Sequence, residues 1–239
     1  MNCKFYFFFA ILFFRCASAE IAVVTIAAGD NYRTLVKEGL ANKLSYCLKN
    51  NYKYIEGSSS LDTSRPVPWS KILLILEVMK DPAIKWIFWT DADSLIMNQK
   101  TLLESLIDED FEFIIGDELN ATVNSGQFLI KNCEWSKKFL HQIYSHVEFV
   151  HHEWWENQAI IYEIENSDEI KSHTKIIPQR FINSYPRRLS RNLDEATYQD
   201  GDFIIHFPSI KGGELKHLMQ HYSKRAKNHS KKPPSRASR

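Results

Sequence analysis

Two stretches of apolar residues with almost no polar interruption stand out along the chain, Ile21-Ala22-Val23-Val24-Thr25-Ile26-Ala27-Ala28-Gly29 and Trp86-Ile87-Phe88-Trp89-Thr90. Strands covered on both faces read this way, and such strands occur in parallel sheets flanked by helices. Between them, Arg33 to Lys49 carries Leu35, Val36, Leu40, Leu44 and Cys47 or Leu48 at helical spacing. Tyr52 to Ile55 reads as a short strand, and Gly57 to Pro68 as a polar loop. Trp69 to Lys80 places Ile72, Leu73, Leu76 and Val78 or Met79 on a second helix, which Asp81-Pro82 ends. Strand, helix, strand, helix, strand is the order of a parallel sheet with crossover helices. The expected class is α/β: one domain with a mostly parallel, Rossmann-like central sheet between helices.

The second half is more broken. Thr101 to Leu106 predicts a short helix, Glu112 to Gly116 a strand, and Asn124-Ser125-Gly126 a small-residue turn opening the strand Gln127 to Lys131. Trp135 to Val147 keeps Phe139, Leu140, Ile143, Tyr144 and Val147 on one helical face. Glu153 to Glu163 predicts a further helix whose Trp154-Trp155 pair is either core or a platform for a sugar ring. Lys175 to Pro178 and Phe181 to Asn183 read as extended pieces, Arg187 to Gln199 as polar, and Asp202 to Phe207 as a strand delivering His206 at its end.

Composition adds little except at the ends. With 239 residues, one α/β domain suffices, and 30 Lys plus Arg against 29 Asp plus Glu give no electrostatic reason to expect nucleic acid. Met1 to Ala19 has a basic start, an apolar run from Phe5 to Phe14, and an Ala17-Ser18-Ala19 site before Glu20, the pattern of a signal peptide. The run is shorter than the ~20 residues that span a bilayer. An uncleaved signal-anchor, with membrane association through this segment, is the alternative. Residues 20–223 then form the domain, and the basic, proline-bearing stretch 224–239 reads as a disordered tail. Without the leader only Cys47 and Cys133 remain, bridged or as two thiols, so a cysteine zinc cluster is excluded. Asn120 and Asn228 open N-glycosylation sequons, meaningful in a eukaryotic secretory pathway, where the Golgi or ER lumen is the expected compartment.

Chemistry concentrates where the apolar runs end. In Thr90-Asp91-Ala92-Asp93-Ser94 two carboxylates flank one small residue directly after a buried strand. Ligands of open α/β sheets sit at such carboxyl ends, and paired hard oxygens suit Mg²⁺ or Mn²⁺. An isolated Asp-x-Asp is equally at home in a solvated turn or at a helix N-cap. Small residues such as Ala27 let a ligand approach the backbone. By themselves, His206 reads as a hydrogen-bonded structural histidine, Gln158 as a surface amide and Lys71 as solvated.

Taken in order, Trp69-Ser70-Lys71, Trp89 to Asn98, Asn124 to Ser136, Trp155-Glu156-Asn157-Gln158-Ala159, Ile182-Asn183-Ser184-Tyr185-Pro186 and Gly201 to Phe207 resemble glycosyltransferase family 34. That family groups fungal galactosyl- and mannosyltransferases with plant xyloglucan xylosyltransferases. The resemblance implies a GT-A fold and a retaining, metal-dependent transfer, with Mn²⁺ (or Mg²⁺), from a nucleotide sugar to a glycan acceptor. UDP-galactose, UDP-xylose and GDP-mannose are the donors it allows. It implies Asp91, Asp93 and His206 as metal ligands, and Ala27, Lys71, Thr90, Asp91, Ser125, Gly126 and Lys211 around the donor. Beside the reacting sugar it implies Gln158 and Asn157, although Asn157 stands where the family has an acidic residue, with Glu156 one place earlier. An amide pair there favours front-face attack by the acceptor over a carboxylate nucleophile, for which Glu156 is the candidate.

Two other functions compete. Strand-then-Asp-x-Asp also opens haloacid-dehalogenase-like phosphatases, but Leu95 replaces the Thr or Val of that signature. A non-catalytic domain that binds nucleotide sugar or glycan is the third reading.

Overall fold

The computed structural model describes residues 20–119, 121–191 and 193–231, so the leader 1–19, Asn120 and the end of the tail lie outside the described residues. The first half follows the expected alternation: β1 (Ile21–Ile26), α1 (Asp30–Asn50), β2 (Lys53–Gly57), α2 (Ser70–Val78) and β3 (Trp86–Thr90). After β4 (Ser94–Ile96) come β5 (Phe113–Glu118), β6 (Ala121–Lys131), α3 (Glu134–Ser145), α4 (Trp155–Asn166), α5 (Asp168–His173), β7 (Thr174–Ile177), β8 (Ile204–His206) and α6 (Gly212–Lys231).

Six strands form one sheet in the order β2-β1-β3-β6-β5-β7, and β4 pairs with β8 apart from it. β1 is parallel to both β2 and β3, β5 is parallel to β7, and β6 runs antiparallel between β3 and β5. The sheet is therefore mostly parallel with one reversed strand.

Side-chain alternation decides which layer each strand residue joins. Ala22, Val24, Ile87, Trp89, Phe128 and Ile130 pack with residues of α2, α3 and α4 on one face. Ile21, Val23, Trp86, Phe88 and Leu129 point the other way, towards Tyr46 and Cys47 of α1 and Phe203 and Ile204. Beyond the sheet's carboxyl end, α1, α6 and the β4–β8 pair close a third apolar cluster around Val36, Leu95, Ile205, Phe207 and Met219.

Three expectations change and one open alternative closes. Asn124-Ser125-Gly126 is not a turn but part of β6: Gln127 stays in register with Thr90 of β3, while the pairing with β5 jumps from Phe128 to Asn124. Small side chains let β6 bulge away from β5 without leaving β3. The basic segment from Lys224 is helical as far as Lys231, because Ser223 and Ala226 lie on the buried side of α6 and anchor it to the domain. Gln179–Phe181, in the region expected to be extended, is a 3-10 turn. Cys47 and Cys133 are both free thiols, Cys47 on the buried side of α1.

A lysine lies inside this core. Lys43 of α1 is fully buried, and its Nζ donates to the Ser94 carbonyl at 2.7 Å. Burial drives its pKa down to about 7, against the pull of the Asp93 and Asp91 charges. An unfolded lysine titrates near 10.4. Between about pH 7 and 10 the unfolded chain thus holds a proton that the folded one lacks, so folding stability gains as pH rises through that window. Stability measured by urea unfolding should rise relative to that of Lys43→Met by about 2–3 kcal/mol between pH 7 and 9. Parallel pH profiles for the two proteins would contradict the assignment.

Candidate functional site

The carboxyl ends of β1 and β3 and the start of α1 meet at one rim of the sheet, where the chain leaves β3 through Asp91-Ala92-Asp93. This turn is held at every residue. Thr90 is buried with its hydroxyl 2.9 Å from Ser94 Oγ, which in turn donates to the Asp91 carbonyl at 2.8 Å. The Asp91 amide donates to the Gly126 carbonyl at 2.8 Å, and the Phe207 amide donates to the Asp93 carbonyl at 3.0 Å. The second bond ties the aspartate turn to the end of β8, which is how His206 reaches a site 113 positions away from Asp93 in sequence.

Asp91, Asp93 and His206 each bring one ligand atom to a group in which these atoms lie within 4.8 Å of one another. His206 Nε2 is 3.4 Å from Asp93 Oδ1 and 3.8 Å from Asp91 Oδ2. Asp91 Oδ1 accepts the Trp89 indole N–H at 2.8 Å, which leaves Oδ2 turned to the imidazole. Burial raises the Asp91 carboxyl above the usual range, Lys71 opposing and Asp93 adding to the rise. His206 is 2% exposed, and its Nε2 has no hydrogen-bond partner among the described residues. A buried nitrogen left facing two carboxylates is costly by itself. Two hard oxygens and one imidazole nitrogen converging there are a donor set that fits a divalent cation such as Mn²⁺ or Mg²⁺.

Gly126 makes this geometry sterically possible. A Cβ there would overlap His206 Cε1 and stand 2.9 Å from Nδ1, so only glycine lets β6 lie flat against the imidazole.

The other expected residues separate into those built into the wall and those left open. Lys71 is not solvated: 3% exposed, its Nζ donates to Glu156 Oε1 at 2.6 Å, to the Ser125 carbonyl at 2.9 Å and to Ser125 Oγ at 3.2 Å. Those three acceptors use all three ammonium protons, although Asp91 Oδ1 is only 3.6 Å away. Glu156, the candidate nucleophile, shares its Oε1 between Lys71 and Ser125 Oγ, while Oε2 is buried without a partner among the described residues. Asn157 also holds the wall: Oδ1 accepts from the Ser125 amide at 2.8 Å, and Nδ2 donates to the Val123 carbonyl at 3.3 Å. Gln158, half-buried on α4, makes no side-chain hydrogen bond among the described residues. Ala27 is buried at the end of β1, its amide donating to the Gly57 carbonyl at 2.9 Å. Lys211 is exposed ahead of α6 and pairs with none of the three presumed ligands.

Three features at this rim were not singled out from the sequence. Tyr32, in the first turn of α1, packs on the third apolar cluster; burial, then Asp93 and Asp91, push its phenol far above the usual range. Asn183 accepts from His206 Nδ1 at 2.8 Å. Tyr185, whose ring centroid is 6.1 Å from that of His206, donates to Glu118 and accepts from Asn124 Nδ2. An aromatic two positions into a helix and the Ile182 to Pro186 motif were visible, but not what they touch. Trp154 and Trp155 are each 40% exposed, which removes the core reading for the pair. Trp155 holds a φ of 45° at the head of α4, a left-handed conformation that costs a bulky residue about 1–3 kcal/mol.

The fold is that of the GT-A glycosyltransferases. The structure overlays on a glycosyltransferase involved in the glycosylation of the major capsid of PBCV-1 with a TM-score of 0.68, at 14% identity, covering 84% of this chain and 98% of that one. The chain belongs to the galactosyl transferase GMA12/MNN10 family, whose model matches residues 17–110 and 105–212. An uncharacterized alpha-1,2-galactosyltransferase of Schizosaccharomyces pombe is 27% identical over 219 residues, 73% of this chain and 55% of that protein. A probable alpha-1,2-galactosyltransferase of the same yeast, gmh1, is 26% identical over 221 residues, 75% of this chain and 64% of that protein. The chain thus spans between about half and two thirds of the length of these two relatives. Family membership sets the phosphatase reading aside.

Proposed function

We propose that this domain is a metal-dependent, retaining glycosyltransferase that moves a hexose or pentose from a nucleotide sugar to a glycan acceptor. The observation that carries the metal dependence is the buried, unpartnered His206 Nε2 facing Asp91 and Asp93. A divalent cation bound there would neutralise the diphosphate as it departs. Tyr32, beside the same carboxylates, offers a ring for the nucleobase, and the open side of Asp91 and Asp93 takes the diphosphate. Exposed Lys211 is the cation available to that diphosphate, because Lys71 is already satisfied by Glu156 and Ser125.

Retention is the outcome this reading takes from the family, and the wall bears on its route. Glu156 is held by Lys71 through Oε1 and Asn157 by β6, which favours a route without a carboxylate nucleophile. The acceptor hydroxyl attacks from the leaving-group side: its oxygen bonds to the anomeric carbon, the bond to the donor phosphate breaks, and the hydroxyl proton passes to the departing phosphate oxygen. We assign that face to Gln158, whose amide is not engaged among the described residues, and the acceptor to the half-exposed Trp154 and Trp155. Residues 1–19 direct the chain into the secretory pathway, to the Golgi or ER lumen, by cleavage or by retention as an anchor.

The test is a donor screen on the purified chain with Mn²⁺, scoring nucleoside diphosphate release from UDP-galactose, UDP-xylose and GDP-mannose, with and without acceptor glycans. UDP-galactose comes first, since both yeast relatives are named for galactosyl transfer. Release abolished by chelator and restored by Mn²⁺ is expected. Chelator-insensitive release would overturn the metal assignment, and donor binding with no release from any donor would favour a non-catalytic binding domain.

A further inference from the structure

We infer that Asn183 is the positioning residue that sets the tautomer of His206, keeping the proton on Nδ1 so that the Nε2 lone pair faces the aspartates. The inference rests on the metal-binding reading above. Asn183 is fully buried, and its Oδ1 lies 2.8 Å from His206 Nδ1. An amide oxygen can only accept, so the imidazole must donate from Nδ1. In the neutral ring the other nitrogen then carries no proton, and it is the one that stands 3.4 Å from Asp93 Oδ1 and 3.8 Å from Asp91 Oδ2.

Neighbours hold both partners. The Asn183 amide donates to the Gln179 carbonyl at 2.7 Å, and Gln179 Nε2 donates back to the Asn183 carbonyl at 3.2 Å. The His206 amide donates to the Ser184 carbonyl at 2.8 Å, which pins the backbone of β8 beside Asn183. Gly126 and Tyr185 close on the ring itself. Asn183 Nδ2 makes no close hydrogen bond among the described residues, but it acts as a donor towards the Tyr185 phenol. In the opposite amide pose Nδ2 would donate to Nδ1, the ring proton would move to Nε2, and it would point at the carboxylates in place of a cation. An orienting acceptor behind a histidine ligand fixes the tautomer, and its loss ordinarily weakens metal binding about 10–100-fold.

The experiment has two readouts, neither of them turnover. Nitrogen-15 NMR of the imidazole of His206, recorded at a pH where the ring is neutral, with and without diamagnetic Mg²⁺, reports which nitrogen carries the proton. Mn²⁺ affinity is read by the EPR signal of free Mn²⁺. Wild type is expected to show protonated Nδ1 with Mg²⁺ present. Asn183→Leu is expected to lose that preference and to bind Mn²⁺ about 10–100-fold more weakly. Asn183→Asp, which keeps an acceptor in place, is expected to restore both. Protonated Nε2 in wild type with Mg²⁺ would overturn the inference without any variant. Wild-type affinity in a folded Asn183→Leu protein would also overturn it, as would an Asn183→Asp protein as weak as the Leu one. If wild type failed to bind Mn²⁺ at all, the metal reading would fall, while the NMR comparison would still decide whether Asn183 sets the tautomer.

Discussion

Asp93→Asn is expected to lower donor-dependent transfer by about 10²–10³-fold, the loss that follows when one preorganised charge is removed from developing negative charge. The same substitution should leave the metal-free protein at least as stable as wild type. Asp91 and Asp93 are like charges at one rim, and part of the upward push on the Asp91 carboxyl comes from Asp93. Neutralising Asp93 relieves that repulsion and removes no buried hydrogen bond of its carboxylate, since the bond the residue accepts from Phe207 is to its backbone carbonyl. Activity and stability should therefore move in different directions, which separates a site residue from a structural one. A third reading comes from linkage. A cation that binds only the folded state stabilises it by about 2.7 kcal/mol at 100 times its dissociation constant. In a domain of this size that is a rise in Tm of about 5–10 °C. Wild type should show the rise with Mn²⁺, and Asp93→Asn should lose most of it. Unchanged activity together with an unchanged Mn²⁺ shift in the variant would sink the aspartate cluster as the site.

What could be read in advance divides by the range of the interaction. β1 and β3 were legible as unbroken apolar runs, buried at every residue, and α1 and α2 as apolar positions recurring near a period of 3.6. β8 was legible as an apolar run ending near His206, but its pairing with β4 was not, because β4 has only three residues and the two pair across more than a hundred positions. Asp91 and Asp93 could be placed as a couple from their neighbours in sequence. That His206 joins them came from resemblance, and its orienting contact, Asn183, came from neither. Small residues at 124–126 read as a turn by local propensity; tertiary pairing with β3 overrode it. Charged residues were the least readable. Lys43 and Lys71 sit on helices, where lysine ordinarily faces water, and nothing nearby in sequence reveals a Ser94 carbonyl or a Glu156 carboxylate waiting inside.

Loss of the Lys71 ammonium is expected to cost a large part of the folding stability. Burial works against its charge, but the Asp91 and Glu156 carboxylates overcome that and hold the ammonium above its usual range. Both side chains of the Lys71–Glu156 pair are 4% exposed, so neither charge can fall back on water. Removing one partner of such a pair costs about 3–5 kcal/mol, chiefly because the other is left buried and alone. Lys71→Met should fall in that range, since Glu156 would keep only the Ser125 hydroxyl at 3.1 Å. Glu156→Gln should cost less: Lys71 retains the Ser125 carbonyl and hydroxyl and has Asp91 Oδ1 at 3.6 Å. The double variant Lys71→Met with Glu156→Gln should be more stable than Lys71→Met alone, because the stranded charge is gone. Urea unfolding of the three proteins and wild type at pH 7 closes the cycle. Additive losses would mean that the two charges do not depend on each other, and a Lys71→Met protein within about 1 kcal/mol of wild type would mean that they are not buried together, since exposed pairs contribute no more than that. The asymmetry between the single variants carries the further point. Without Glu156, Asp91 Oδ1, already 3.6 Å from Lys71, becomes the carboxylate the lysine draws on, and a shift towards it would disturb Oδ2 in its place 3.8 Å from the imidazole. Glu156→Gln is accordingly expected to weaken Mn²⁺ binding although it touches none of the three ligands, and an affinity equal to wild type would separate the ion pair from the site.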